Sequence, residues 1–290
     1  MKTPTRGNEM KTRIISGVIL VLIAAIIIAA GVLITPLFIT AAAAFLAAAA
    51  TFELLKNAAG INSRAAVAGA CIYVFLTVFA LDGTTAEVLA PLFGETAPGT
   101  LELALALSIA YFIFGAVMTL IKHRFFGMAQ IAALTAFPIP LAFAFSCLAL
   151  VLNHKNGIYY LLLLLNFSSI CDMGAYFVGS AVGKHKLCPE ISPHKTVEGA
   201  VGGIASSAVV TLALSFAFSF EDRLAAALIL TVAFCILGMV GDLFASSVKR
   251  AVGIKDYGKL IPGHGGILDR FDSIIMIAPL FYLFISAGII

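Results

Sequence analysis

The chain has 290 residues, of which 61% are hydrophobic and 11% charged, and its mean hydropathy is +1.08. Its 18 Lys and Arg and 15 Asp and Glu are too few to cover a water-soluble globule of this length, so lipid is the solvent for most of the chain. The same figures exclude a disordered, collagen-like or disulfide-stapled protein, since the five cysteines at 71, 147, 171, 188 and 235 lie mostly in apolar runs with no C-x-x-C pair.

A membrane-spanning helix needs roughly 20 mainly apolar residues. Nine segments qualify, at 14–30, 37–55, 65–81, 101–121, 128–152, 158–181, 199–220, 224–247 and 272–290. The expected fold is therefore all-α, a polytopic integral membrane protein of about nine transmembrane helices. The first segment is too long for the apolar core of a cleaved signal peptide, and the second follows almost at once across Thr35 and Pro36. Pro138 and Pro140 are expected to kink or break the fifth. With the N-terminus inside, 16 of the 18 basic residues fall on the cytoplasmic side, leaving only Lys155 and Arg223 outside. Lys and Arg are retained on that side during insertion, and a miscounted helix would scatter them over both faces. The placement expected is the inner, cytoplasmic membrane, with multiple passes. The chain has no soluble domain and no repeat of fixed period. It is expected to divide into N-terminal membrane helices, 1–152, forming a scaffold or dimer region, and a C-terminal membrane region, 153–290, expected to carry the functional residues. The longest outer loop, 82–100, carries Asp82, Glu87 and Glu95 and no base.

An Asp at mid-membrane costs roughly 2.5 to 3.5 kcal/mol on insertion scales, so Asp172 and Asp242 call for a reason. Asp172 shares a helical face with Ala175, Tyr176, Gly179 and Gly183. Two readings stand: a small-residue packing seam, or an acid lining a polar cavity. Asp242 is followed by Ser246 and Lys249 on one face. Two turns, roughly 10 Å, separate the acid from the lysine, too far for a direct bond, which places another charged group between them.

Two inner loops concentrate the remaining polarity. Residues 246–272 hold Lys249, Arg250, Lys255, Lys259 and Arg270 together with Asp256, Asp269, Asp272, His264 and the glycines 263, 265 and 266. A simple positive-inside anchor needs the bases but not the acids or the Gly-rich turn. The mixture suits a polyphosphate: carboxylates for Mg²⁺, cations for the remaining phosphate charge, and glycines that bring backbone N–H groups close to an anion. The other loop, 183–199, supplies Lys184, Lys186, Ser192, Lys195 and Thr196 just before the seventh helix. Ser192 and Thr196 are possible helix caps, but capping alone does not account for three lysines, and a second anion contact fits better.

The run Ser246-x-x-Lys249-Arg250, Lys255-Asp256-x-Gly258, Ile261-Pro262-x-His264-Gly265-Gly266-x-x-Asp269-Arg270-Phe271-Asp272 resembles the signature of the phosphatidate cytidylyltransferase family, also called CDP-diacylglycerol synthases. The run from Asp172 through Lys184 to Gly199 is similar to the family's second motif, so the resemblance covers roughly the last 120 residues in detail. It implies an enzyme that joins CTP to phosphatidic acid with Mg²⁺, and leaves room for a second cation, in an α-helical homodimer whose polar cavity opens to the cytoplasm; no nucleic acid is called for. Carried over residue by residue, the metal acids are Asp242 and Asp269. Lys249, Arg250, Lys255 and Arg270 would meet phosphates, with Asp256 and His264 also in the catalytic set. Asp172, Tyr176, Lys184, Ser192, Lys195, Thr196, Ser246, Gly265, Gly266 and Asp272 would contact substrate, although Asp272 also suits a cap for the last helix. Glu53, in the variable N-terminal half, is a minor candidate.

Three other readings compete. A CTP-dependent lipid kinase of the polyprenol or phytol type shares the broad design but phosphorylates an alcohol. A secondary transporter accounts for many helices and buried acids but has no need of the Gly-rich, His-containing loop. A CDP-alcohol phosphotransferase is disfavoured because its D-G-x-x-A-R type of motif is absent.

Overall fold

Apolar helices in lipid turn their large side chains outward and pack through small ones, and this distribution is what the chain shows. Ile26, Leu33 and Leu120 are 66%, 82% and 74% exposed, whereas Ala44, Ala47 and Ala50 are fully buried. The structure is a computed structural model and describes residues 6–83, 91 and 99–290. Most of the acidic loop at 82–100 and the start of the N-terminal arm lie outside the described residues.

The chain forms two units, Met1–Asn153 with Ile254–Arg270, and His154–Gly253 with Phe271–Ile290. In the first, α1 (Arg6–Leu33) and α2 (Leu37–Glu53) flank Pro36, and α2 runs on into a π-helical turn, Leu54–Ala58. Ser63 caps α3 (Arg64–Leu81), its hydroxyl accepting from Ala66 N at 3.4 Å. After α4 (Thr100–Ile121), the fifth span is broken at Phe137 into α5 (Met128–Ala136) and α6 (Pro138–Asn153). The break falls where the prolines place it, because Pro138 has no N–H to continue the ladder and suits the first position of a new helix.

The second unit begins with α7 (Gly157–Leu165), a π turn (Asn166–Ile170) and α8 (Cys171–Val182). An antiparallel hairpin, β1 (Lys186–Cys188) and β2 (Ser192–Thr196), leads into α9 (Val197–Ala217), followed by α10 (Leu224–Ala251). α8 and α9 pack through small residues. A Cβ added at Gly203 would lie 2.5 Å from Cys171 O, and one at Gly199 would lie 2.7 Å from Ala175 O. The seam reading of Ala175, Gly179 and Gly183 is therefore realised, and so is the cavity reading of Asp172 described below.

The all-α, polytopic expectation holds, with a short hairpin added among the described residues. Eight helices among the described residues are long and apolar enough to cross a membrane. The ninth expected span is also helical, α11 (Leu268–Ser286), but its N-terminal turns carry Asp269, Arg270 and Asp272, which leaves a shorter apolar stretch. Because α11 starts at Leu268, Asp272 lies inside it and does not cap it.

Candidate active site

Within the second unit, the hairpin and three helix segments gather the second motif. Thr196, at the junction of β2 and α9, caps the helix by accepting from Gly199 N at 3.1 Å. The cap stops the strand one residue after Lys195 and so aims that side chain at α8 and α10. There its ammonium pairs with Asp242 of α10 and stands 3.9 Å from Asp172 of α8. Lys195 thus supplies a charged partner for Asp242. These three side chains, with Tyr176, Ser192, His194 and Thr196, line a cavity of about 250 Å³.

Two features of this unit carry no assigned role in the sequence reading. The π turn ends two residues before Asp172, with Asn166 donating to Ser207 O and Thr211 Oγ1, both at 3.0 Å. Such turns shift the helical register by one residue and are common at functional sites. Glu198 accepts from the backbone of Lys184 at 3.1 Å and is 2.6 Å from His185 Nδ1. It thereby holds the turn bearing Lys184, which is exposed and outside the cavity lining. An acid one residue past a helix start reads in sequence as a dipole partner, which conceals this longer reach.

In the first unit, the segment Ile254–Arg270 folds into a tight loop. Pro262 and Gly263 (φ 77°) occupy the middle of a turn closed by His264 N donating to Ile261 O at 2.9 Å, the arrangement of a type II turn. Gly265 also has positive φ, 87°, and Ile261 N donates back to Gly265 O at 2.9 Å. Asp269 is 9% exposed; its Oδ2 accepts from Tyr257 N at 2.8 Å and Gly266 N at 3.0 Å, tying the two ends of the loop together. Lys255, Asp256, His264, Gly265 and Arg270 line a cavity of about 560 Å³. Ser16 of α1 donates to Pro262 O at 2.8 Å and lies 3.0 Å from His264 Nδ1, so the imidazole is held from behind.

Of the residues singled out from sequence, Ser246, Lys249, Arg250 and Asp272 line neither cavity. Gly266 and Asp269 lie beneath the loop surface; both are buried. Glu53, buried at the end of α2 with its Oε2 accepting from Leu268 N at 3.0 Å, contributes more to the site than its sequence context suggests.

Chemically, one unit presents two carboxylates around an ammonium, and the other a cationic, Gly-rich cradle. A profile of the cytidylyltransferase family matches residues 11–287. The chain belongs to that family. Over 128 residues it is 45% identical to the phosphatidate cytidylyltransferase of Staphylococcus saprophyticus and 43% to that of Staphylococcus haemolyticus, in each case 44% of this chain and 49% of the relative. The matched stretch thus spans about half the length of these curated relatives. As a cytidylyltransferase-family member, the chain combines a polytopic helical scaffold with its densest polar chemistry in the two motifs read from sequence.

Proposed function

We propose that the chain joins CTP to phosphatidic acid, releasing CDP-diacylglycerol and pyrophosphate, with Mg²⁺ as cofactor and the reaction at the cytoplasmic face of the inner membrane. The observation that carries this reading is the signature loop: in a cytidylyltransferase-family chain, it forms a cavity of about 560 Å³ lined by Lys255, His264 and Arg270. That volume lies in the range of small-molecule sites, roughly 300–1,000 Å³.

The chemistry asks for little beyond placement and charge. A phosphate oxygen of phosphatidate forms a bond to the α-phosphorus of CTP. The bond from that phosphorus to the β-phosphate breaks, its electron pair leaving with pyrophosphate. The nucleophile is already anionic near neutral pH, so no strong base and no covalent enzyme intermediate are required. The obstacle is repulsion between two anions, and catalysis of this kind is mainly positioning and charge neutralisation. Lys255 and Arg270 supply positive charge in one cavity, and Lys195 does so in the other. Ser192 and Tyr176 add hydroxyls to the latter.

Among the described residues no cluster of three or more metal-type side chains is present, so a hard cation here would rely on two carboxylates together with substrate oxygens. Asp242 and Asp172 offer carboxylate oxygens at a cavity where Asp242 already pairs with a cation, Lys195, and Mg²⁺ is commonly held by one or two carboxylates plus substrate phosphate oxygens. Asp269, the other acid implied by the resemblance, uses Oδ2 to shape the loop. Bound Mg²⁺ would supply orientation of the phosphates and stabilisation of the departing pyrophosphate.

The test is detergent-purified protein given CTP labelled at the α-phosphate, Mg²⁺ and phosphatidic acid. Labelled CDP-diacylglycerol with release of pyrophosphate, both abolished by EDTA, supports the proposal. Label recovered only as CDP, with phosphorylation of an added polyprenol, would show a lipid kinase instead, and unchanged CTP in every mixture would overturn both.

A further inference from the structure

Glu53 lies more than 200 residues before the signature loop in sequence, yet its carboxylate is buried beneath that loop and only 4% exposed. A buried carboxylate is costly unless donors surround it. Here the donors come from the loop's own backbone: Oε2 accepts from Leu268 N at 3.0 Å. One turn on, Asn57 of the π segment donates to Tyr257 O at 2.6 Å. Two side chains four residues apart therefore grip the two ends of the loop, one at 257 and the other at 268. Between these ends lie Lys259, His264 and most of the cavity wall, with Lys255, Asp256 and Arg270 directly flanking them.

The fit is close on both sides of the loop. A Cβ placed on Gly258 would collide with Glu53 Oε1, and one on Gly266 would collide with both carboxylate oxygens. Neither glycine has positive φ, so their value lies in the missing side chain. Oε1 has no hydrogen-bond partner among the described residues. The carboxylate thus acts as a wedge between Gly258 and Gly266 as well as an acceptor for Leu268.

We infer that Glu53 is the positioning residue of the nucleotide loop. It sets the spacing of the 256–258 and 266–268 segments, and through them the mutual placement of Lys255, His264 and Arg270. The role deepens the cytidylyltransferase reading and rests on it for its catalytic consequence, but the brace itself is a property of the fold. A displacement of about 1 Å in a catalytic array can cost on the order of 100-fold in rate.

The test combines activity with local hydrogen exchange in the intact 290-residue chain, solubilised in detergent. Glu53→Ala should lower kcat at least 100-fold and speed amide exchange across 256–268, with exchange in α9 unchanged. Glu53→Gln, which keeps an acceptor for Leu268 N, should stay within about tenfold of the wild type; loss as deep as in Glu53→Ala would mean that charge or metal binding is the role, and would overturn the inference. Gly266→Ala should cost about 100-fold in kcat/KM in the wild type but less than threefold in the Glu53→Ala background, because the collision partner is gone. Independent, multiplicative losses would also overturn it. Should Glu53→Ala fail to fold, Gly258→Ala with and without Glu53→Asp decides, since the shorter acid makes room for the added methyl and should restore activity; no restoration counts against the brace. If the wild type makes no CDP-diacylglycerol, the functional reading falls, and the exchange data alone uphold or refute the brace.

Discussion

Replacing Lys195 with Met keeps the length and most of the bulk of the side chain and removes the charge at the centre of the second-unit cavity. The lost contact to Asp242 is an ion pair only 24% exposed on each side, between a surface pair worth less than about 1 kcal/mol and a buried one whose breaking costs about 3 to 5 kcal/mol, so about 2 to 3 kcal/mol. The second carboxylate stands 3.9 Å away; at an effective dielectric near 20 Coulomb's law allows about 4 kcal/mol at that separation. Asp172 is 49% exposed, however, and solvent screening reduces such a pair to less than about 1 kcal/mol. The variant should therefore be destabilised by about 2 to 4 kcal/mol, mostly through Asp242. In catalysis, removing one preorganised group that neutralises developing charge typically costs about 2.7 to 4 kcal/mol, or about 100- to 1,000-fold. The assay is steady-state formation of CDP-diacylglycerol over a CTP series, paired with thermal unfolding in the same detergent. Lys195→Arg should recover part of the activity by preserving charge. Should Lys195→Met remain folded with kcat/KM within a few-fold of the wild type, the cation would have no part in neutralising phosphate, and the site would have to be rebuilt without it.

Asp242→Asn retains the shape but removes the anion that Lys195 and Mg²⁺ would share; turnover should fall below detection while size-exclusion behaviour stays normal, and a CTP-dependent rate near that of the wild type would refute its assignment. Gly203→Val places a branched side chain where Cβ alone would stand 2.5 Å from Cys171 O. Forcing α8 and α9 apart should cost at the upper end of overpacking penalties, about 3 kcal/mol or more. A lowered unfolding temperature checks this, and an unchanged one would mean that the two helices are not held as close as the seam requires.

Lipid solvation acts on residue type one segment at a time, so the polytopic helical class and the positions of the spans were legible from hydropathy alone. The break near Pro138 was equally local, since it follows from a missing N–H. The two motifs were legible because acids, bases and glycines stand together there in otherwise apolar sequence, and the folded chain does gather Asp172, Lys195 and Asp242 in one cavity and Lys255, His264 and Arg270 in another. What tertiary structure decided were the partners. Asp242 pairs with Lys195 from a hairpin that no apolar periodicity announces. Asp269 ties the ends of its own loop, and Glu198 holds the turn that carries Lys184. Glu53 closes the brace from 215 residues away. A buried acid at the end of a span carries the same local signal whether it faces a helix, a loop or a metal. Only the packing of helices distant in sequence brings particular backbone donors to its oxygens, and that packing is set by side-chain fit rather than by the periodicity of any one segment.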